Sequence, residues 1–194
     1  MTGFIALTFT VLMVPDWELV EQDDELQVWT RERAGSDYEE IRARILLNAS
    51  AEKTWTVLDN VERYQEFMPR LVEARVLERV GDRVLYQYQK IDPPVLAVRD
   101  CVMRIEISRT PGRYVRKFRA SHHPLSPPLD DETVRLSVFE GEWRVEALGP
   151  NRSALVYQVH ADPGGRVPSW LSNYASTMTL PRLMNAFRDR IIGG

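Results

Sequence analysis

Three histidines, one cysteine and an Arg-Asp pair are the side chains of this sequence best suited to chemistry. Cys101 could act as a thiol nucleophile, and His122, His123 and His160 as bases or metal ligands. A nucleophile needs a base held beside it, and a metal needs several donors at fixed spacing. His122 and His123 are adjacent in a proline-rich stretch with no third ligand at motif spacing, so no metal is expected. There is no G-x-S-x-G, no glycine-rich phosphate loop and no H-E-x-x-H, which removes the recognisable hydrolase, nucleotide and zincin signatures. These residues point to no catalytic group and no cofactor.

Binding chemistry is better represented. Along 98–107, VRDCVMRIEI, residues two apart share a strand face. That puts Arg99, Cys101, Met103, Ile105 and Ile107 on one side and Asp100, Val102, Arg104 and Glu106 on the other. The first set is apolar apart from Arg99. A buried guanidinium there either anchors the polar end of a ligand or orders a cavity mouth, or it forms a structural salt bridge with a neighbouring acid. If the sheet that holds this strand has a face that lines a cavity, Tyr86 and Tyr157 are the candidates for its wall, since a phenol offers apolar surface with one hydrogen bond for a headgroup.

The elements that must position these residues follow from periodicity. WELV, ELQVWTRE and YEEIRARILLNA alternate charged and apolar residues, and Gly35-Ser36-Asp37 divides a hairpin from about Leu26 to Leu47. Ser50 caps the first of one or two short helices that fill Ala51 to Met68, stopped by Pro69. Strands are then expected at Val72–Arg79, Val84–Lys90, Val98–Ser108, Tyr114–Ala120, Thr133–Ala147 and Ala154–His160, joined as a meander. Ser121 to Glu132, SHHPLSPPLDDE, reads as a long mobile loop able to act as a gate. Ser169 to about Ile192 is helical, with a kink expected at Pro181. The element order requires an α+β domain with an antiparallel sheet, because no strand-helix crossovers for a parallel one are present.

Composition bounds the class. The chain has 194 residues, 44% hydrophobic and 27% charged, which suits one soluble domain with a substantial core. A net charge of −3 gives no footprint for nucleic acid. One cysteine allows neither an internal disulfide nor a thiolate zinc cluster. Residues 1–15, MTGFIALTFTVLMVP, carry no charge, no basic n-region and no small-x-small cleavage site. They are expected to be an uncleaved packing element, with a degenerate signal, a membrane anchor or a true start at Met13 as alternatives; residues 16–194 form the domain. The expected location is the cytoplasm with transient membrane contact, or the periplasm if the run is a signal.

The stretch VYQVHADPGGRVPSWLSNYASTMTLPRLMNAF, Val156 to Phe187, resembles the C-terminal signature of START (steroidogenic acute regulatory protein-related lipid transfer) domains. LYQYQKIDPPVLAVRDCVMRI, Leu85 to Ile105, resembles the central hairpin of that family through its proline bend and the Arg99-Asp100 pair. The helix start Ala51 to Pro69 is a third, weaker match. The resemblance covers about Trp17 to Ile191 and is nearest in flavour to phosphatidylcholine transfer proteins. It implies a helix-grip fold of the START/Bet v 1-like kind, a curved antiparallel sheet around a long C-terminal helix with an internal cavity for one lipid. Sterol-binding members carry a second cavity arginine where Ile105 stands and an acid where Tyr86 stands, so the sequence departs from a sterol-type polar pair.

On that frame Tyr174, Leu180, Leu183, Met184 and Phe187 of the final helix are expected to face the ligand, together with Tyr86, Arg99, Cys101, Met103, Ile105 and Tyr157. The implied function is binding of a phospholipid, sterol or fatty-acyl lipid by a monomer and its transfer between membranes, with no chemistry performed. A polyketide cyclase or aromatase, a quinone binder of the same superfamily and a non-transferring lipid sensor are the alternatives. The gate is expected at the 121–132 loop or at the C-terminal helix, with Trp170 as the candidate interfacial aromatic. Arg113, Arg116, Lys117 and Arg119 form either an anionic-lipid patch or a solvated strand face.

Overall fold

A computed structural model describes residues 16–94, 96–165 and 167–193, except for a few side chains at the start of the last helix. The apolar run 1–15 and the side chains of Trp170 and Tyr174, for which roles are expected above, lie outside the described residues.

The alternating segments form β1 (Glu18–Gln22), β2 (Leu26–Arg31), β3 (Glu40–Leu47), β4 (Leu71–Val80), β5 (Val84–Ile91), β6 (Val98–Thr110), β7 (Arg113–Ala120), β8 (Thr133–Arg135), β9 (Val138–Gly149) and β10 (Arg152–Asp162). The helices are α1 (Ala51–Asp59), followed by a 3-10 turn at Val61–Glu66, and α2 (Ser169–Gly193). The Ser50 hydroxyl accepts from the Lys53 amide and caps α1, as its sequence position predicts. Of the one or two short helices expected before Pro69, two form, because Asn60 leaves helical geometry.

The strands make one sheet in the order β1-β2-β3-β10-β9-β7-β6-β5-β4, antiparallel except for the short parallel pairing of β8 with β6. The meander holds from β4 to β10. It fails between β3 and β4, where α1 and the 3-10 turn carry the chain to the far edge, so that β10 returns to pair with β3. The single strand expected at Thr133–Ala147 is two. Asp100 accepts from Arg135 at 3.0 and 2.6 Å and from the Tyr88 hydroxyl at 3.2 Å, which holds β8 against β6 before the chain turns at Leu136 into β9.

Register fixes the faces. Cys101 stands opposite Gln89, Met103 opposite Gln87 and Ile105 opposite Leu85 and Phe118. Trp143 lies between Arg116 and Tyr157, and Tyr157 is opposite Ala43. These residues line the concave side. At Gly141 a Cβ would meet the Gln158 carbonyl oxygen at 2.0 Å and the Phe118 ring at 2.9 Å, so the close strand approach there admits only glycine.

Helix α2 crosses this concave side. Leu180, Met184, Phe187 and Ile191 recur at helical spacing and are all buried, while Met178 is exposed. The helix runs unbroken across Pro181. Phe187 meets Tyr64, Phe67 and Trp143 with ring centroids 5.6, 5.0 and 4.9 Å away, and this aromatic cluster joins α2 to β9 and the 3-10 turn.

Candidate functional site

Where α2 leaves the sheet, a chamber of about 300 Å³ opens between them. Its floor is Cys101, Tyr157, Val159 and Ile41 from the sheet, and its roof is Leu180 and Leu183 of α2. The proline bend between β5 and β6 supplies Pro93, Pro94 and Leu96 to the rim, with exposed Arg70 and Arg182 beside it. A smaller crevice of about 40 Å³ adjoins the chamber deeper in the sheet, and both share Met68, Gln89, Phe139, Tyr157 and Leu183. Trp143, Gln87, Arg116, Met103 and Ile105 surround the crevice.

Arg99 lines the chamber and is only 4% exposed. Among the described residues it has no carboxylate partner. Its Nε donates to the Pro163 carbonyl at 3.2 Å and its Nη1 to the Ala97 carbonyl, so it ties the loop after β10 to the bend before β6. Burial draws its pKa below the usual arginine value. The neighbouring Asp100 points to the other face, where Arg135 and Tyr88 hold it. The Arg-Asp pair therefore divides its work between rim and outer sheet.

Burial and the nearby Asp100 carboxylate push the Cys101 thiol up to about 12. A thiol so held is neutral and poorly nucleophilic, and it serves as apolar wall. Burial raises the Tyr157 phenol as well; its ring stacks on Trp143 at 4.0 Å between centroids.

The residues expected at the site therefore divide. Arg99, Cys101, Leu180 and Leu183 border the chamber, Met103 and Ile105 the crevice, and Tyr157 both. Tyr86 borders neither. It pairs with Arg104, and its ring lies 4.7 Å from that of His123 on the outer face. The alternation of β5 puts Gln87 and Gln89 inward, and Tyr86 and Tyr88 on the other face. Met184 and Phe187 also border neither space; they are fully buried in the core, because one helical turn beyond Leu180 the helix already rests on the sheet.

Of the two candidate gates, the loop lies away from the site and the helix lies on it. No residue of 121–132 borders the chamber or the crevice. That loop is pinned on the outer face by His123 with Glu78 at 2.7 Å and by Lys90 with Asp130 at 3.1 Å. The basic patch loses its central member, since Arg116 is 2% exposed and inward while Arg113, Lys117 and Arg119 are exposed. Period two along RYVRKFRA sets Arg116 on one face with Tyr114 and Phe118, and that was the available signal. For Tyr64, Met68, Phe139 and Trp143 no local pattern distinguishes a cavity wall from ordinary core.

A curved antiparallel sheet closed by a C-terminal helix over an interior cavity defines the helix-grip class. Residues 47–188 match the family model described as polyketide cyclase / dehydrase and lipid transport, and the chain belongs to that family. It is 28% identical over 178 residues to uncharacterized protein PA1579 of Pseudomonas aeruginosa, covering 89% of this chain and 87% of that protein. It is 22% identical to START domain-containing protein 10 of Mus musculus over 87% of this chain, and spans 58% of that longer protein. Among solved structures, human STARD10 superposes with a TM-score of 0.82 at 21% identity, covering 91% of this chain and 73% of that one. The STAR-related lipid transfer protein of Xanthomonas axonopodis gives a TM-score of 0.79 at 26% identity, covering 91% of this chain and 98% of the fragment solved. The helix-grip fold implied by the sequence is the one found.

Proposed function

We propose that this chain binds one long-chain lipid between its sheet and α2 and carries it between membranes without chemical change. The observation that carries the reading is the chamber itself, about 300 Å³ walled mainly by aliphatic and aromatic side chains and roofed by Leu180 and Leu183. Each methylene removed from water contributes about 0.8 kcal/mol, so a chain of a dozen carbons is held without any charged contact. The volume sits at the low end of the range of roughly 300–1,000 Å³ for ligand pockets, which favours one apolar chain over two. A two-chain phospholipid requires α2 to move outward. In this reading Arg99, Cys101 and Tyr157 contact the chain from the sheet, and Met103 and Ile105 meet its inner end.

Delivery to a bilayer requires the rim to part. Pro93, Pro94 and Leu96 on one side and Leu180 on the other are the segments that would separate, and Arg99 is the latch between the bend and the loop after β10. The relatives named for lipid transfer support a carrier. A cyclase is the second reading, favoured by the aromatic and polar crevice where Trp143 and Tyr157 meet Arg116 and Gln87.

Native mass spectrometry of gently purified protein, with extraction and identification of the bound molecule, tests the proposal. A stoichiometric acyl lipid that then moves between vesicle populations supports the carrier. An aromatic polyketide supports the cyclase, and an acyl lipid that does not exchange supports a sensor.

A further inference from the structure

Arg116 is among the most deeply buried large side chains in the molecule. A buried cation is costly unless an anion or several hydrogen bonds compensate it. Among the described residues no carboxylate lies within ion-pair distance of it. Its Nη1 donates to the Leu58 carbonyl and to the Tyr64 hydroxyl at 3.2 Å, and its Nη2 donates to Gln87 Oε1 at 2.8 Å. All three partners are neutral. Asp59, which follows Leu58, turns instead to Arg109 at 3.5 Å. The Nε of Arg116 is buried with no hydrogen-bond partner.

This guanidinium borders the crevice at the inner end of the site. The path to it has one sign of charge. Arg70 and Arg182 stand at the rim and Arg99 within; among the described residues the one acid that reaches either wall is Asp100, whose carboxylate is turned away to Arg135 and Tyr88. Such a lining attracts an anion and repels a cation.

Resting on the carrier reading, we propose that the crevice is a headgroup subsite for an anionic oxygen group, carboxylate or phosphate, on a single apolar chain. The ligand enters head first, its oxygens accept from Arg116 Nε beside the Gln87 contact, and its chain fills the outer chamber. A guanidinium offers paired donors matched to either group. Cationic or zwitterionic headgroups with a bulky ammonium are disfavoured.

The test titrates the 194-residue chain with dodecanoate, dodecyl phosphate and dodecanol, read by Trp143 fluorescence in single-tryptophan background and by calorimetry on the unaltered chain. The expected result is at least tenfold tighter binding of one or both anions than of dodecanol, and the tighter anion names the headgroup. Arg116→Met should remove that preference, and Arg116→Lys should restore part of it. Equal affinity of the unaltered protein for anions and alcohol overturns the subsite while leaving the carrier reading intact, and this comparison stands even if a variant fails to fold. Equal weakening of all three ligands in a folded Arg116→Met protein also overturns it. Binding of none of them overturns the carrier reading together with the subsite.

Discussion

Replacing Phe187 with alanine separates the core from the ligand site. The sequence places Phe187 among ligand-facing residues, whereas the structure buries it completely against Tyr64, Phe67 and Trp143. Truncating a buried phenylalanine costs about 3–5 kcal/mol, and three aromatic contacts place this site toward the upper end. For a chain of this size each kcal/mol lowers the midpoint by about 2–4 °C, so thermal denaturation should shift down by roughly 6–20 °C. Leu183, which is half-buried and borders both cavity spaces, is the contrast. Leu183→Ala should destabilise less and change lipid affinity more. Circular dichroism melts and dodecanoate titration at a temperature where both variants are folded measure the two effects. A Phe187→Ala protein that melts within 2 °C of the parent but binds lipid much more weakly would refute the core assignment.

Three further substitutions test the frame and the floor. Gly141→Ala forces a Cβ into the Gln158 carbonyl and the Phe118 ring, and should destabilise by more than the roughly 1 kcal/mol of an average point mutation, seen as a lower urea midpoint. Gly81→Ala, whose Cβ would meet nothing, should cost only the strain of its positive φ. Cys101 should resist iodoacetamide at pH 8 in the folded protein and react on unfolding, since its thiol is held up to about 12 against an ordinary value of 9.0. The folded state then retains a proton that the unfolded state gives up, so the Cys101 contribution to stability is complete below pH 9 and is lost as pH rises toward 12. A Cys101→Ala variant should lack that part of the alkaline decline, and a parent that is equally stable at pH 8 and 11.5 would contradict it.

Much of the frame was legible along the chain because strand and helix periods are local. The alternation of Val98 to Ile107 set Arg99, Cys101, Met103 and Ile105 on one face, and the structure keeps them there. Ser50 marked the start of α1, and the D-P-G-G-x-x-P segment marked the approach to α2. The motif resemblance supplied the helix-grip arrangement, which local periodicity alone does not contain.

Tertiary structure decided which face was the inside and where packing stopped. Tyr86 and Gln87 are neighbours in sequence, and only pairing with β6 shows that the glutamine points inward and the tyrosine toward His123. Arg116 sits in a basic segment that reads as solvated until α1 and the 3-10 turn close over it. Leu180, Met184 and Phe187 share one helix stripe, yet only the first borders the cavity, because the distance between α2 and the sheet changes along the helix. A period defines a face from residues a few positions apart, whereas a cavity is a gap between elements remote in sequence, and its walls are set by how those elements pack.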